Sequence, residues 1–146
     1  MNRATLSIAI AILMLFPSTV MACTVAPWPG DVPPTPEMIA EQFLFTPSAF
    51  FGKVGIRDIV QEDHATVTYT MDVLKQYAGN RIETISATTD QTSSCAFSGQ
   101  EDMTTLLYIP QGEVMPYNVN MTSNYFYGVS EREIEAYLDA KQTSGE

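Results

Sequence analysis

The chain is poor in residues that bind metals. Its 146 residues include one histidine and two cysteines, whereas catalytic zinc sites usually draw on several His or Cys ligands. A glycine-rich phosphate loop, a nucleophile elbow and a dinucleotide fingerprint are also missing from the sequence. The sequence therefore argues against an enzyme, and it predicts neither a cofactor nor a metal ion of the protein's own.

Positive charge is equally scarce. Seven Lys and Arg stand against seventeen Asp and Glu, which gives a formal net charge of −10. Such an acidic surface repels phosphates and anionic lipid head groups, so we expect no nucleic-acid partner and no membrane contact other than a lipid anchor. The histidine, His64, follows Glu62 and Asp63 in a predicted polar turn, and a solvated loop position explains it better than a catalytic role.

Long hydrophobic runs are missing as well. The longest covers residues 8–16, which is too short to span a bilayer comfortably. Arg3 precedes this run, and Pro17 and the small residue Ala22 follow it, in the order that is typical of a secretory signal. We therefore predict a signal peptide over residues 1–22 and a single domain over residues 23–146, secreted or located in the periplasm or cell envelope.

The two cysteines, Cys23 and Cys95, predict one disulfide in an exported chain. The chain-entropy estimate for closing this loop is at best about 4 kcal/mol. Cys95 follows a run of small polar residues, 88–94, which predicts a loop that a distant amino terminus can reach. The disulfide would hold the new amino terminus rigidly against the domain.

The same stretch has a second interpretation. Val20-Met21-Ala22-Cys23 resembles a bacterial lipoprotein box, in which the cysteine sulfur is acylated and the amine is usually blocked. Lipidation would consume the sulfur that the disulfide needs, so the two fates exclude each other. In this alternative the protein is anchored to a membrane through Cys23.

Hydrophobic periodicity predicts a mainly β domain with flanking helices. Thr35-Pro36-Glu37 starts a short helix that ends before Pro47, and Trp28, in a proline-rich stretch before it, is expected to pack on the domain. We predict a final helix over about residues 130–141, with Ser130 and Glu133 forming a capping box and a frayed tail after Ala140. The predicted strands cover residues 49–60, 66–73, 81–87 and 105–109, and a further extended stretch begins at Tyr117. Gly52 and Gly55 indicate a bulge or strong curvature in the first strand, and this pattern fits a small antiparallel barrel or sandwich.

The chain resembles a known family. Cys23-Thr24 before a proline-rich stretch, then residues 49–54 and 68–75, and finally Cys95 ahead of Leu106-Leu107-Tyr108-Ile109, look like the netrin-like module. Within that group the chain is similar to the tissue inhibitors of metalloproteinases and their compact bacterial relatives. The resemblance implies a five-stranded antiparallel OB-fold-like barrel with a short helix before it and a C-terminal helix. It also implies a bond between Cys23 and Cys95.

The resemblance further implies a mechanism. In these inhibitors the N-terminal amine and the carbonyl oxygen of the first cysteine chelate the zinc of a metalloproteinase, and the second residue enters the specificity pocket. Carried onto this chain, the chelating residue is Cys23 and the pocket residue is Thr24. We therefore weigh two hypotheses for what we expect to be a monomer: a zinc-metalloproteinase inhibitor, and a non-inhibitory extracytoplasmic binding or scaffold module that is acylated at Cys23 if it is a lipoprotein.

Overall fold

The structure, a computed structural model, describes residues 28–93, 95–120 and 126–145. The predicted signal peptide, Cys23 and Thr24 lie outside these ranges. In chain order the elements are α1 (Pro36–Phe45), β1 (Ser48–Gln61), β2 (Thr66–Gly79), β3 (Thr84–Asp90), β4 (Thr104–Pro110), β5 (Tyr117–Asn118) and α2 (Glu131–Ser144).

The five strands form one sheet in the order β4-β1-β2-β3-β5, and the sheet curls into a half barrel. Neighbouring strands are antiparallel except for β3 and β5, which run parallel and pair through Ala87 with Tyr117 and Thr88 with Asn118. The predicted mainly β fold, with a short helix before the sheet and a helix after it, is confirmed. Within the described ranges β4 and β5 are the edge strands and do not pair with each other, so the closed barrel stays a prediction.

The longest strand pairing of the sheet joins β1 to β2, and it is irregular. The register between β1 and β2 shifts next to Gly52 and at two further places along the ladder. A side chain at Gly52 would collide with the backbone carbonyl of Lys75 and lie 2.8 Å from the Phe50 ring. Because only glycine permits so close an approach of the two strands, the predicted irregularity at Gly52 is confirmed.

The two faces of the sheet build two separate apolar clusters. Successive side chains of a strand point to opposite faces, so the neighbours Phe50 and Phe51 belong to different clusters although both are fully buried. The inner cluster lies within the curl and is made by the strands and the segments that join them. The outer cluster lies beneath the two helices; its helical members are Ile39, Ala40, Phe43, Ile134 and Leu138.

Both helices start close to where the sequence predicts. Thr35 caps α1, since its hydroxyl oxygen accepts the N–H of Met38 at 3.3 Å. Ser130 is the N-cap residue of α2 but makes no side-chain cap bond, so the predicted capping box is wrong. The predicted fraying after Ala140 is also wrong: α2 continues to Ser144, because Lys141 in its last turn pairs with Glu41 of α1, and it ends at Gly145 in the left-handed conformation.

Two strands differ from their predicted bounds. β2 runs through to Gly79, whereas the predicted strand ended at residue 73. Lys75 and Tyr77 are strand residues whose polar ends meet Asp139 of α2, so their polarity reflects a helix contact. β3 begins at Thr84 instead of residue 81 and ends at Asp90. The connection that contains Cys95 therefore begins at residue 91.

Candidate functional site

Of the predicted site residues, the structure describes Cys95. Cys95 is half-buried and lies in the connection between β3 and β4, which we call the Cys95 loop (residues 91–103). The predicted loop position is thereby confirmed. Cys23 and Thr24, the predicted chelating and pocket residues, lie outside the described ranges, so the candidate site is described through Cys95 and its surroundings.

The first turn of the Cys95 loop is closed by local side-chain bonds. The carboxylate of Asp90 accepts the hydroxyl of Thr92 at 2.6 Å and the N–H of Thr92 at 2.9 Å. These two bonds, the hydroxyl first, hold the pKa of Asp90 below its ordinary value. The N–H of Cys95 then donates to the hydroxyl oxygen of Ser93 at 3.2 Å. The cysteine is therefore presented by a bonded turn and not by an open loop.

A buried threonine connects this loop to two other parts of the chain. Thr89, the next-to-last residue of β3, is 1% exposed. Its hydroxyl donates to the side-chain oxygen of Asn120 and accepts the N–H of Phe97 at 3.0 Å. The same Asn120 oxygen accepts the N–H of Asp90 at 2.9 Å. We call Thr89, Asn120 and the Phe97 N–H the Thr89 latch.

Aromatic packing holds the far side of the loop. The ring of Phe97 meets the ring of Tyr69 edge-on at 5.2 Å, and the Tyr69 hydroxyl donates to the Phe97 carbonyl at 3.3 Å. The same hydroxyl accepts the N–H of Gly99 at 3.4 Å. A side chain at Gly99 would collide with Ile56 and with both rings, so the chain passes over the sheet as closely as glycine allows.

The turn between β1 and β2 lies at the same end of the molecule. The N–H of Gln91 donates to the carbonyl of Ala65 at 2.6 Å. Within that turn Asp63 accepts the N–H groups of Ala65 and Thr66 at 2.7 and 2.8 Å, and these bonds hold the pKa of its carboxyl below the ordinary value. His64 is exposed there, as the sequence predicts. The candidate site is therefore bordered by acidic groups.

A second anchor lies just after the predicted amino terminus. The ring of Trp28 meets the ring of Tyr127 edge-on at 5.0 Å and packs against the outer cluster. The expected packing of Trp28 on the domain is confirmed. Cys23 is five residues before Trp28, so it lies within about 18 Å of this anchor even if the chain between them is fully extended.

Sequence reasoning missed most of the residues that fix the Cys95 loop. Thr89 follows Ile85 and Ala87 at inward positions of β3, and an inward polar residue at a strand end is the signal that could have found it. Asn120 attracts notice in the sequence through the glycosylation pattern Asn120-Met121-Thr122, which is unrelated to its contact with Thr89. Tyr69 and Phe97 carry no local signal, because their meeting depends on the fold.

The described residues contain no group of three or more His, Cys, Asp or Glu side chains placed to hold a metal ion. In the same part of the chain, no helix is long and apolar enough to cross a membrane.

No family model, curated protein or solved structure matches the chain. The resemblance to the netrin-like module accordingly rests on the residues that carry it in the sequence.

Proposed function

We propose that this protein is an exported inhibitor of a zinc metalloproteinase that acts through its own amino terminus. In this proposal the signal peptide is removed before Cys23, and Cys23 is joined to Cys95 by a disulfide. The amine and carbonyl oxygen of Cys23 then bind the protease zinc, and Thr24 enters the specificity pocket. The protein is secreted or periplasmic and works as a monomer.

The observation that carries this proposal is that two fixed points, the loop of Cys95 and Trp28, are available to hold a segment around Cys23. Cys95, its proposed partner, lies in a loop tied to the sheet by the Thr89 latch and by Tyr69. Trp28, five residues after Cys23, packs on the opposite cluster. No free cysteine occurs among the described residues, which supports a paired Cys95. An amino terminus held at both sides has little ordering entropy to lose on binding, and that favours tight inhibition.

The chemistry suits a free terminal amine. A catalytic zinc keeps one coordination position open for water, and an inhibitor can displace that water with two ligands of its own. An α-amine has a pKa of about 8, so near neutral pH it gives up its proton to a metal at low cost. The carbonyl oxygen of the same residue completes a chelate, and the inhibitor needs no metal of its own.

The sheet supports the barrel that this proposal requires. An OB fold is a five-stranded, partly open barrel, and the strand order with a parallel β3–β5 pair leaves one seam, between β4 and β5. We propose that β4 and β5 close this seam. The free edge of β4 is already occupied in part, since Glu131 of α2 accepts the N–H of Leu106 at 3.0 Å.

The test compares the processed protein with two variants, each lengthened by one residue at one end. The protein processed at Cys23 is assayed against a panel of zinc metalloproteinases, beside a variant with one alanine added before Cys23 and a control with one alanine added after Glu146. We expect inhibition of at least one protease by the processed protein and by the control. The added N-terminal residue should weaken inhibition at least about 100-fold, because it removes the terminal amine from the zinc.

Two results would contradict the proposal. Equal inhibition by the variant with the added N-terminal alanine would show that the amine is not a ligand. Failure of the processed protein against the whole panel, or an acylated Cys23, would instead favour the non-inhibitory binding or scaffold module. The lipoprotein box at Val20-Met21-Ala22-Cys23 is the observation that keeps this second function in view.

A further inference from the structure

The Thr89 hydroxyl is unusual because both of its hydrogen-bond partners lie outside β3. Among the described residues, Thr89 and Thr105 are the two polar side chains that are buried. A buried hydroxyl without partners is costly, and valine would fill the same space in a strand without that cost. Thr89 instead uses its donor for Asn120 and its acceptor for Phe97, which lie 31 and eight residues away in the sequence.

The Asn120 side chain is fixed as firmly as the threonine. Its oxygen accepts both the Thr89 hydroxyl and the N–H of Asp90, the residue at which β3 ends. The backbone N–H of Asn120 in turn donates to the side-chain oxygen of Asn118 in β5 at 3.0 Å. The latch therefore ties together the end of β3, the chain that leaves β5 and the Cys95 loop.

The latch acts on the loop two residues from the cysteine. Thr89 holds the N–H of Phe97, while Ser93 holds the N–H of Cys95 from the other side. A disulfide tolerates only a narrow range of Cα–Cα distances, about 4.4–6.8 Å. Any displacement of Cys95 would consequently move its disulfide partner as well.

We propose that Thr89 and Asn120 are positioning residues for the zinc-binding amino terminus. This inference rests on the proposed function: the latch sets the place of Cys95, Cys95 sets the place of Cys23, and the Cys23 amine must come within about 2.1 Å of a protease zinc. A loop that is about 1 Å too loose would fold normally and still bind the metal poorly.

The test uses the other buried threonine as its matched control. Thr105 donates its hydroxyl to Glu131 of α2 at 3.0 Å. Thr89→Val and Thr105→Val thus delete the same group from two buried sites. We expect Thr89→Val to weaken zinc-protease inhibition about tenfold or more at a temperature where both variants are fully folded, while Thr105→Val inhibits like the parent. Thr89→Ser, which keeps the hydroxyl, should restore inhibition.

Two further readouts do not depend on inhibition. Hydrogen exchange at the Phe97 and Cys95 amides should accelerate about tenfold or more in Thr89→Val and remain unchanged in Thr105→Val. In a dithiothreitol series, the disulfide of Thr89→Val should be reduced at a lower thiol concentration than that of Thr105→Val, because a looser Cys95 meets Cys23 less often. Asn120→Ala should reproduce both effects if Thr89→Val does not fold.

The outcomes separate the two proposals. If the parent protein inhibits no zinc protease, the proposed function fails, and amide exchange and disulfide reduction still decide whether the latch positions Cys95. The positioning role is overturned if Thr89→Val and Thr105→Val lose inhibition to the same extent. Unchanged exchange at Phe97 and Cys95 in both Thr89→Val and Asn120→Ala would overturn it as well.

Discussion

The helix α2 and the Cys95 loop are fastened to the same sheet by different kinds of contact. α2 is held over the sheet and α1 by Lys53–Glu135, Lys75–Asp139 and Lys141–Glu41, whose side chains are 25% to 46% exposed. The Cys95 loop is held by neutral hydrogen bonds from a buried threonine and from Tyr69. Half-exposed ion pairs contribute about 0–1 kcal/mol each and weaken with salt, whereas bonds in a dry interior keep their geometry.

This difference matches how precisely each region has to be positioned on the sheet. A helix that covers an apolar cluster can shift slightly without loss, because burial is not directional. In the proposed function Cys95 places a metal ligand, and it would have no such freedom. The three ion pairs therefore lie where α2 covers the sheet, and the Thr89 hydrogen bonds lie where the Cys95 loop meets it.

The largest expected effect comes from breaking the helix-covered side. Phe51→Ala should lower the free energy of unfolding by about 3–5 kcal/mol, since it empties a fully buried ring position in the outer cluster. Urea unfolding gives this number. In the remaining folded protein, amide exchange should accelerate in α2 while the Phe97 amide stays protected; Phe50→Ala, in the inner cluster, is the control that should also expose Phe97. Equal acceleration at Phe97 in both variants would mean that the two regions are not separate.

A smaller effect should follow from crowding the Cys95 loop itself. Gly99→Ala places a methyl group against Ile56, Phe97 and Tyr69, and overpacking of this kind costs about 1–3 kcal/mol. Thermal unfolding of Gly99→Ala beside Ser98→Ala, at an exposed neighbour, measures it. The loop amides should lose protection before those of α2. A stability equal to that of Ser98→Ala would show that the loop has room to move away from the sheet.

The smallest effect should come from acid, and it should be larger in α2 than at the Phe97 amide, which the neutral Thr89 hydroxyl holds. The turn closed by Asp90, whose pKa is also lowered, is expected to loosen together with α2. Hydrogen bonds from Lys75 and Tyr77 lower the pKa of Asp139, and those from Tyr137 and Lys141 lower the pKa of Glu41. A carboxyl whose folded pKa is depressed stabilises the protein above its unfolded pKa and loses that contribution as pH falls through the folded value. Amide exchange in α2 should therefore accelerate below about pH 4 relative to Phe97. Asp139→Asn should flatten this pH dependence. An exchange profile in α2 that is the same in Asp139→Asn as in the parent would contradict the role of the Lys75–Asp139 ion pair.

Much of the fold follows from local patterns in the sequence. Strict alternation over residues 66–73 predicts the first half of β2 because each apolar residue faces the inner cluster. The continuation to Gly79 could not be predicted, since Lys75 and Tyr77 are polar where they meet Asp139, 64 and 62 residues away. Local pattern ends where a side chain finds its partner in a distant element.

The candidate site shows the same limit. The polar run before Cys95 predicts a loop, which is confirmed from residue 91 onward, whereas residues 88–90 belong to β3. The predicted packing of Trp28 on the domain is confirmed. The Thr89 latch depends on a parallel pairing of β3 with a strand of two residues, which carries almost no periodic signal. A residue such as Asn120 acquires its role from that pairing and not from its neighbours in sequence.

The central claim is that Cys23 is a free amino terminus held by a disulfide. The most direct test is the intact mass of the protein purified from its own host's envelope or medium, measured before and after reduction. We predict the mass of residues 23–146, lighter by two hydrogens before reduction than after it. A mass increased by diacylglycerol and fatty acid, or a chain that begins at any residue other than Cys23, would contradict the account.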